Sequence, residues 1–222
     1  VGSQYTPTAG WAQAITYHRD TLKEGEWKGS LGVALGGDAS VATNGFWSAL
    51  TMATTLKLPM LFYIEDNDLG ISVKGEMQTP GGNIAKNLAS FANLLVRDGD
   101  GTDPEGSAKL LKESVAHVRS GAGPALVHLT LPRLSSHSGP DNQKGYRSDA
   151  EIAADQARRE VIPQERDDRR PAGADRVGVA GAGRAVVADD SHHRRLLADE
   201  RLGRVGTHDP GRKVDLQDLD TF

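Results

Sequence analysis

Four short apolar runs, at 31–35, 60–64, 94–97 and 125–129, are separated by stretches in which apolar and polar residues alternate at helical spacing. The first run is apolar throughout, without the polar alternation of a half-exposed strand, so it reads as a strand covered on both faces. Among the helical stretches, 12–23 sets Ala14, Ile15 and His18 on one side. Residues 44–57 set Phe46, Leu50, Ala53 and Leu56 on one face before Pro59 ends the helix. Residues 83–93 do the same with Ile84, Leu88 and Phe91. The helix from 103 to 119 opens with Asp103 as cap, Pro104 at the first position and Glu105 in the first turn, and turns Leu110, Leu111, Val115 and Val118 inward. Ser148-Asp-Ala-Glu151 is a capping box that starts a last helix running to about 158. This alternation predicts an α/β fold, a parallel sheet with helices on both faces.

Polar residues stand where the strands end. Gly36-Gly37-Asp38 closes the first run and Glu65-Asp66-Asn67 the second, which is the edge where open α/β sheets bind ligands. Asp38 offers a hard anionic oxygen and Asn67 a neutral carbonyl oxygen, while Ala39 and Ser40 lead into a helix whose free N–H groups can receive an anion. Taken singly, each residue reads as a cap or a turn. Taken together, they suit a divalent cation that bridges protein to phosphate. The polar, Gly-rich linker at 71–82 is long enough to be expected to carry function.

Gly37-Asp38-Ala39, followed 29 positions after Asp38 by Asn67, resembles the thiamine-diphosphate motif, a Gly-Asp-Gly that ends in Asn-Asn at a similar distance. Ala39 and Asp66 depart from that motif without removing a ligand. A second block, Arg133-Leu-Ser-Ser-His137-Ser138-Gly-Pro-Asp141 and then Tyr146-Arg147, is similar to the active-site loop of the α subunit of the decarboxylating component of 2-oxo acid dehydrogenases, in the branched-chain or pyruvate group. The resemblance covers residues 1–157. It implies a thiamine-diphosphate-binding fold and oxidative decarboxylation of a 2-oxo acid, with the acyl group passed to a lipoyl carrier. Magnesium would be held by Asp38, Asn67 and the Leu69 carbonyl. Gly37, Ala39, Ser40, Arg133 and Ser138 would line the cofactor, and His137 would assist acyl transfer; Ser138 also matches a serine that is phosphorylated in some relatives. The partners implied are a β subunit or domain, which closes the cofactor site, and a lipoyl-bearing acyltransferase. The rival readings are a non-catalytic truncated remnant and a lyase or transketolase-like thiamine-diphosphate enzyme. The second leaves the Arg133–Arg147 block unexplained.

Composition divides the chain into a binding domain at 1–157 and a tail at 158–222. The first part holds all three Trp, all four Tyr and three of the four Phe, with eight Lys and five Arg; the second holds one Phe, one Lys and twelve Arg. Such a tail is expected either to be disordered or to follow a change of reading frame. A net charge of −4 gives no general attraction to nucleic acid or anionic lipid. The absence of Cys excludes disulfides and thiolate metal sites, and a reducing, cytoplasmic setting is the simplest expectation. No run reaches the ~18 apolar residues of a membrane span, and no secretory pattern opens the chain. A start on Val fits a segment of a longer protein. Gly99-Asp100-Gly101 is a decoy: the residue 29 positions beyond Asp100 is Leu129, inside an apolar run, so 98–103 reads as a β-α turn. His192-His193 lacks further ligands, and the Gly run at 178–183 lacks the preceding strand of a dinucleotide site.

Overall fold

β1 (Leu31–Gly37), β2 (Met60–Asp66), β5 (Leu95–Asp100) and β6 (Ala125–Thr130) form the parallel sheet, in the order β5-β6-β2-β1. The computed structural model describes residues 1–160 and 185–188. Expectations for the rest of the tail, for His192-His193 and for the Gly run at 178–183 lie outside the described residues. The described residues belong to one compact unit. The composition of the tail predicts no regular element, yet β7 (Ala185–Ala188) pairs antiparallel with β1, Leu31 opposite Ala188. Four apolar residues among Arg, Asp and Gly are too few to show a period. Among the described residues no helix is long and apolar enough to cross a membrane.

The central strand explains the pattern of the apolar runs. Successive β2 side chains point to opposite faces. Met60, Phe62 and Ile64 enter one core with Tyr5, Phe46 and Leu50, and Leu61 enters the other with Val118, Val127 and Leu129. Tyr5, Phe46 and Phe62 form an aromatic knot with ring centroids 5.2, 5.6 and 6.0 Å apart.

The helices obey their caps more closely than their apolar spacing. α1 (Tyr5–Thr16) starts earlier than the expected 12–23, with Pro7 in its first turn, where a missing N–H is tolerated. It ends in a π-helical turn, Tyr17–Thr21. Its small residues let it lie close on β1: a Cβ on Gly32 would stand 3.1 Å from the Thr8 carbonyl. α2 (Asn44–Leu56) is capped by Thr43 and stopped by Lys57 at φ 49°. Leu56, expected inward, is 52 % exposed; Leu58, past the left-handed break, is buried instead. α3 (Ile84–Leu88) is half the expected length, ending at Ala89 well before Asn93, which is left-handed at φ 60° and donates from its side chain to the Thr54 carbonyl. α4 (Pro104–Arg119) begins where the sequence placed it, Asp103 Oδ1 accepting from the Glu105 and Gly106 amides at 3.1 and 3.0 Å. Leu111 on this helix is exposed, against expectation. α5 (Asp149–Glu160) carries the reciprocal capping box, Ser148 N–H to Glu151 Oε2 at 2.8 Å and Glu151 N–H to Ser148 Oγ at 3.2 Å.

Parallel strands end together, so the chain leaves β1, β2, β5 and β6 along one edge. Burial decides which core positions matter. Phe62→Ala is expected to lower unfolding free energy by about 3–5 kcal/mol, whereas Leu56→Ala should change it by no more than about 0.5 kcal/mol, both read from urea denaturation.

Candidate active site

Asp38 emerges from β1 into a 3-10 turn, Asp38–Ala42. The helix read at 44–57 begins at Asn44 as expected, and its N-terminus is capped by Thr43, so the 3-10 turn separates it from Ser40. Ser40 Oγ donates to the Gly37 carbonyl at 2.6 Å and accepts from Tyr5 Oη at 2.5 Å. The buried Tyr5 phenol is pushed up to about 12, chiefly by burial. Gly36 is required here, since a Cβ would strike Tyr5 Oη and Ser40 Oγ.

Asp38 is 8 % exposed, and its Oδ2 is buried with no hydrogen-bond partner among the described residues. Burial first, and the Asp66 charge second, push this carboxyl up to about 6, against the pull of the Asp38 and Asn67 amides. A buried, unpartnered carboxylate oxygen is costly. A cation at this oxygen removes that cost.

Asn67 follows β2 and meets Asp38 through its backbone amide. Its Oδ1 accepts from Leu69 N–H at 3.1 Å, which leaves a second lone pair. Asp66 Oδ1 accepts from Asp68 N–H at 2.7 Å, and Asp68 turns left-handed at φ 62°. The start of the linker is thereby folded into a hairpin, β3 (Leu69–Gly70) with β4 (Val73–Lys74). Its turn sets Ile71 at φ 60°, a strained position for a β-branched residue. Ala39 fits because a Cβ on Gly70 would lie 2.8 Å from the Ala39 methyl. The methyl added at 39 is matched by the one missing at 70.

The third segment is the loop after β6. Arg133 is 6 % exposed and donates from Nε to the Ser135 carbonyl, from Nη1 to the Ile71 carbonyl at 2.7 Å, and from Nη2 to Asp141 and the Tyr146 hydroxyl. These bonds use four of the five guanidinium hydrogens, so the arginine expected at the diphosphate already ties loop to hairpin. Asp141 Oδ2 gathers His137 N–H at 2.7 Å and Tyr146 Oη at 2.6 Å. Asp155 on α5 accepts from Arg133 N–H and Arg147. His137 and Ser138 stand exposed on the crown of this loop. A cleft of about 230 Å³ opens beside it, lined among others by Asn67, Leu69, Lys74, Arg147 and Asp155.

Two features of the site carry no signal in the sequence pattern. One is Asp155, an ordinary helix acid by its spacing. The other is His128, inside a run that reads as apolar, which bridges Asp66 and Asp98. The turn expected at 98–103 starts later: Asp98, Gly99 and Asp100 extend β5, and only then does the chain turn, with Asp100 Oδ1 accepting from the Thr102 amide and hydroxyl. Among the described residues no three His, Asp or Glu side chains are grouped to hold a metal by themselves. The oxygens of Asp38, Asn67 and Leu69 suit a hard cation that brings other ligands with it.

A family model described as dehydrogenase E1 component matches residues 1–167. The chain belongs to the dehydrogenase E1 component family. It is similar to the 3-methyl-2-oxobutanoate dehydrogenase subunit alpha of Mycobacterium tuberculosis, 30 % identical over 123 residues, 55 % of this chain and 33 % of that protein. It is likewise similar to the chloroplastic pyruvate dehydrogenase E1 component subunit alpha-3 of Arabidopsis thaliana, 30 % identical over 156 residues, 69 % of this chain and 36 % of that protein. The 2-oxoisovalerate dehydrogenase subunit alpha of Bacillus subtilis is 30 % identical over 116 residues, 52 % of this chain and 35 % of that protein. The chain spans about a third of the length of these relatives.

The E1 loop has a pH signature. The Tyr146 hydroxyl first, then the His137 amide, hold the Asp141 carboxyl below its ordinary value. A depressed carboxyl stabilises the fold above its unfolded value of about 4, and that contribution is lost as pH falls through the folded value. Acidification below about pH 4 should therefore release the His137 amide, seen as an upfield shift of its N–H resonance. Asp141→Asn should produce the same shift at neutral pH.

Proposed function

We propose that this chain is the diphosphate- and metal-binding part of an E1 α subunit that acts in oxidative decarboxylation of a 2-oxo acid. The observation that carries the reading is the buried, unpartnered Asp38 oxygen, set beside Asn67 at the exits of neighbouring strands. Asp38, Asn67 and the Leu69 carbonyl would hold magnesium. Gly37 and the amides of Ala39 and Ser40 would approach the diphosphate, the Ser40 hydroxyl being engaged already by Gly37 and Tyr5. Arg133 would add its remaining donor, with Ser138 near it on the same loop. Thiamine diphosphate, when bound, supplies the carbanion and the electron sink for loss of carbon dioxide.

The chain's own residues hold and orient. Asp38 supplies the anionic ligand, and the hairpin presents the Leu69 carbonyl. The Arg133–Asp141–Tyr146 cluster fixes the loop that carries His137, whose exposed ring would assist transfer of the acyl group to a lipoyl carrier. A β subunit or domain would close the cofactor site, and a lipoyl-bearing acyltransferase would take the product, so the working form is a heteromer. The names of the relatives point to branched-chain 2-oxo acids or pyruvate as the substrate class. A reducing, cytoplasmic setting agrees with the absence of Cys.

Calorimetric titration with thiamine diphosphate and magnesium, with and without a β partner, tests the reading. Asp38→Ala should weaken magnesium-dependent binding by about ten- to a hundred-fold or more, and Asp100→Ala should barely change it. The reverse ranking would overturn the site. In the assembled heteromer, His137→Ala should depress lipoyl acylation and leave cofactor affinity within about threefold, as expected of a residue outside the metal's ligands. A loss as large as that of Asp38→Ala would remove His137 from its role.

A further inference from the structure

His128 lies in the middle of β6, fully buried, in a strand otherwise made of Ala, Leu, Val and Thr. Nothing in the proposed chemistry uses it. Its Nε2 is 2.8 Å from Asp66 Oδ2 on β2 and its Nδ1 is 2.7 Å from Asp98 Oδ1 on β5. The bridge thus crosses three neighbouring strands just below the edge that carries the site. An ionised carboxylate only accepts, and a neutral imidazole donates from one nitrogen alone. With a carboxylate at each nitrogen, both nitrogens donate, and the ring is an imidazolium. Burial opposes that charge, but the bonds to Asp66 and Asp98 outweigh it and raise the ring's pKa.

Asp66 is the residue that stands where the thiamine-diphosphate motif has its first Asn. Both of its oxygens are committed: Oδ2 to His128 and Oδ1 to the amide of Asp68, the left-handed residue that turns the chain between Asn67 and Leu69. The Asp66 charge also bears on Asp38. An acid at this position needs a counter-charge that an Asn would not.

We propose that His128 is a positioning residue for the cation site, a buried imidazolium that fixes Asp66 and offsets its charge so that Asp38 and the Asn67–Leu69 turn are held ready for magnesium and diphosphate. The proposal rests on the metal reading given above. It also makes the swap of donor and acceptor roles across the bridge the deciding experiment. In His128→Gln the single NH2 group cannot serve both carboxylates, whereas in Asp66→Asn the ring can become neutral, keeping Nδ1–H on Asp98 and accepting the new NH2 at Nε2. When both substitutions are combined, the NH2 introduced at position 66 can donate to the amide oxygen introduced at position 128, while the NH2 at position 128 donates to Asp98. The double variant thereby restores the bridge without an ionised imidazole.

Two measurements decide it. In the ¹⁵N-labelled full chain at neutral pH, the His128 ring, assigned by its loss in His128→Gln, should show two nitrogens of near-equal shift, both protonated. A neutral tautomer, with widely separated shifts, would overturn the proposal. Titration of the α–β assembly with magnesium and thiamine diphosphate should show His128→Gln weakened by about tenfold, with Asp66→Asn and the double variant both within about threefold of the unaltered protein. A role confined to sheet stability would lower the melting temperature of His128→Gln and leave the affinity of the folded protein alone, which would equally overturn it. Should a single variant fail to fold, the ring spectrum and the double variant decide. If the unaltered assembly binds no magnesium and cofactor, the cation site falls and His128's role with it, whereas altered ring protonation or an unaltered His128→Gln affinity, with binding intact, sinks only the His128 proposal.

Discussion

β2 is buried on both faces and hydrogen-bonded on both edges, and the placement of every polar group in the site follows from that constraint. With β1 on one side and β6 on the other, its register puts Gly37 opposite Glu65 and Thr130 opposite Asp66. Because these strands run parallel, the residues that leave them cannot avoid one another. A one-residue slip would exchange the faces of Phe62 and Leu61 and carry Asn67 away from Asp38. The aromatic knot of Tyr5, Phe46 and Phe62 sets the register through packing, and the site inherits it.

The exit edge concentrates negative charge. Asp38, Asp66, Asp68, Asp98 and Asp100 all lie on it, and four of them find partners within the protein. Asp66 and Asp98 share His128. Asp100 is satisfied by Thr102 and Arg158. Asp68 is tied to the Gly75 amide. Asp38 alone among these five keeps a buried oxygen with no partner among the described residues. Bonds within the protein engage the other four carboxylates, and this one is left open, as the proposed metal site requires. In the loop after β6, Arg133, Asp141, Tyr146, Arg147 and Asp155 bond to one another and leave His137 and Ser138 outside, with Arg147 Nε the one buried donor of this group that has no partner among the described residues.

Much of this is legible in the sequence, because its signals are local. Asp103 with Pro104, and Ser148 with Glu151, mark helix starts through contacts only two or three residues long. Asp38 and Asn67 are legible because parallel strands bring their ends together whatever fills the rest of the sheet. The features that stay hidden depend on contacts distant in the chain. His128 sits in an apolar run, and its partners are 62 and 30 residues away. The hairpin at Leu69–Lys74 needs Ile71 in a conformation its side chain disfavours, held by an arginine from another segment. Leu56 has the right spacing for the core but falls in the last turn, where Leu58 replaces it. Apolar spacing records which face a residue is on, not whether that face is still covered at the helix end.

The contact between Ala39 and Gly70 constrains how this edge of the protein can change over generations. A methyl at 70 would meet the Ala39 methyl at 2.8 Å and the flexible end of Gln78 at 2.5 Å, so it fits only when Gln78 swings aside and position 39 carries no methyl. A lineage moving that methyl from 39 to 70 must pass through a state with Gly at both, which loosens the backbone, or with Ala at both, which crowds it. The crowded intermediate presses on the turn between β1 and α2, so the looser one is the passable route. Along that route position 39 changes before position 70, and for as long as Ala stands at 39, Gly has to stand at 70.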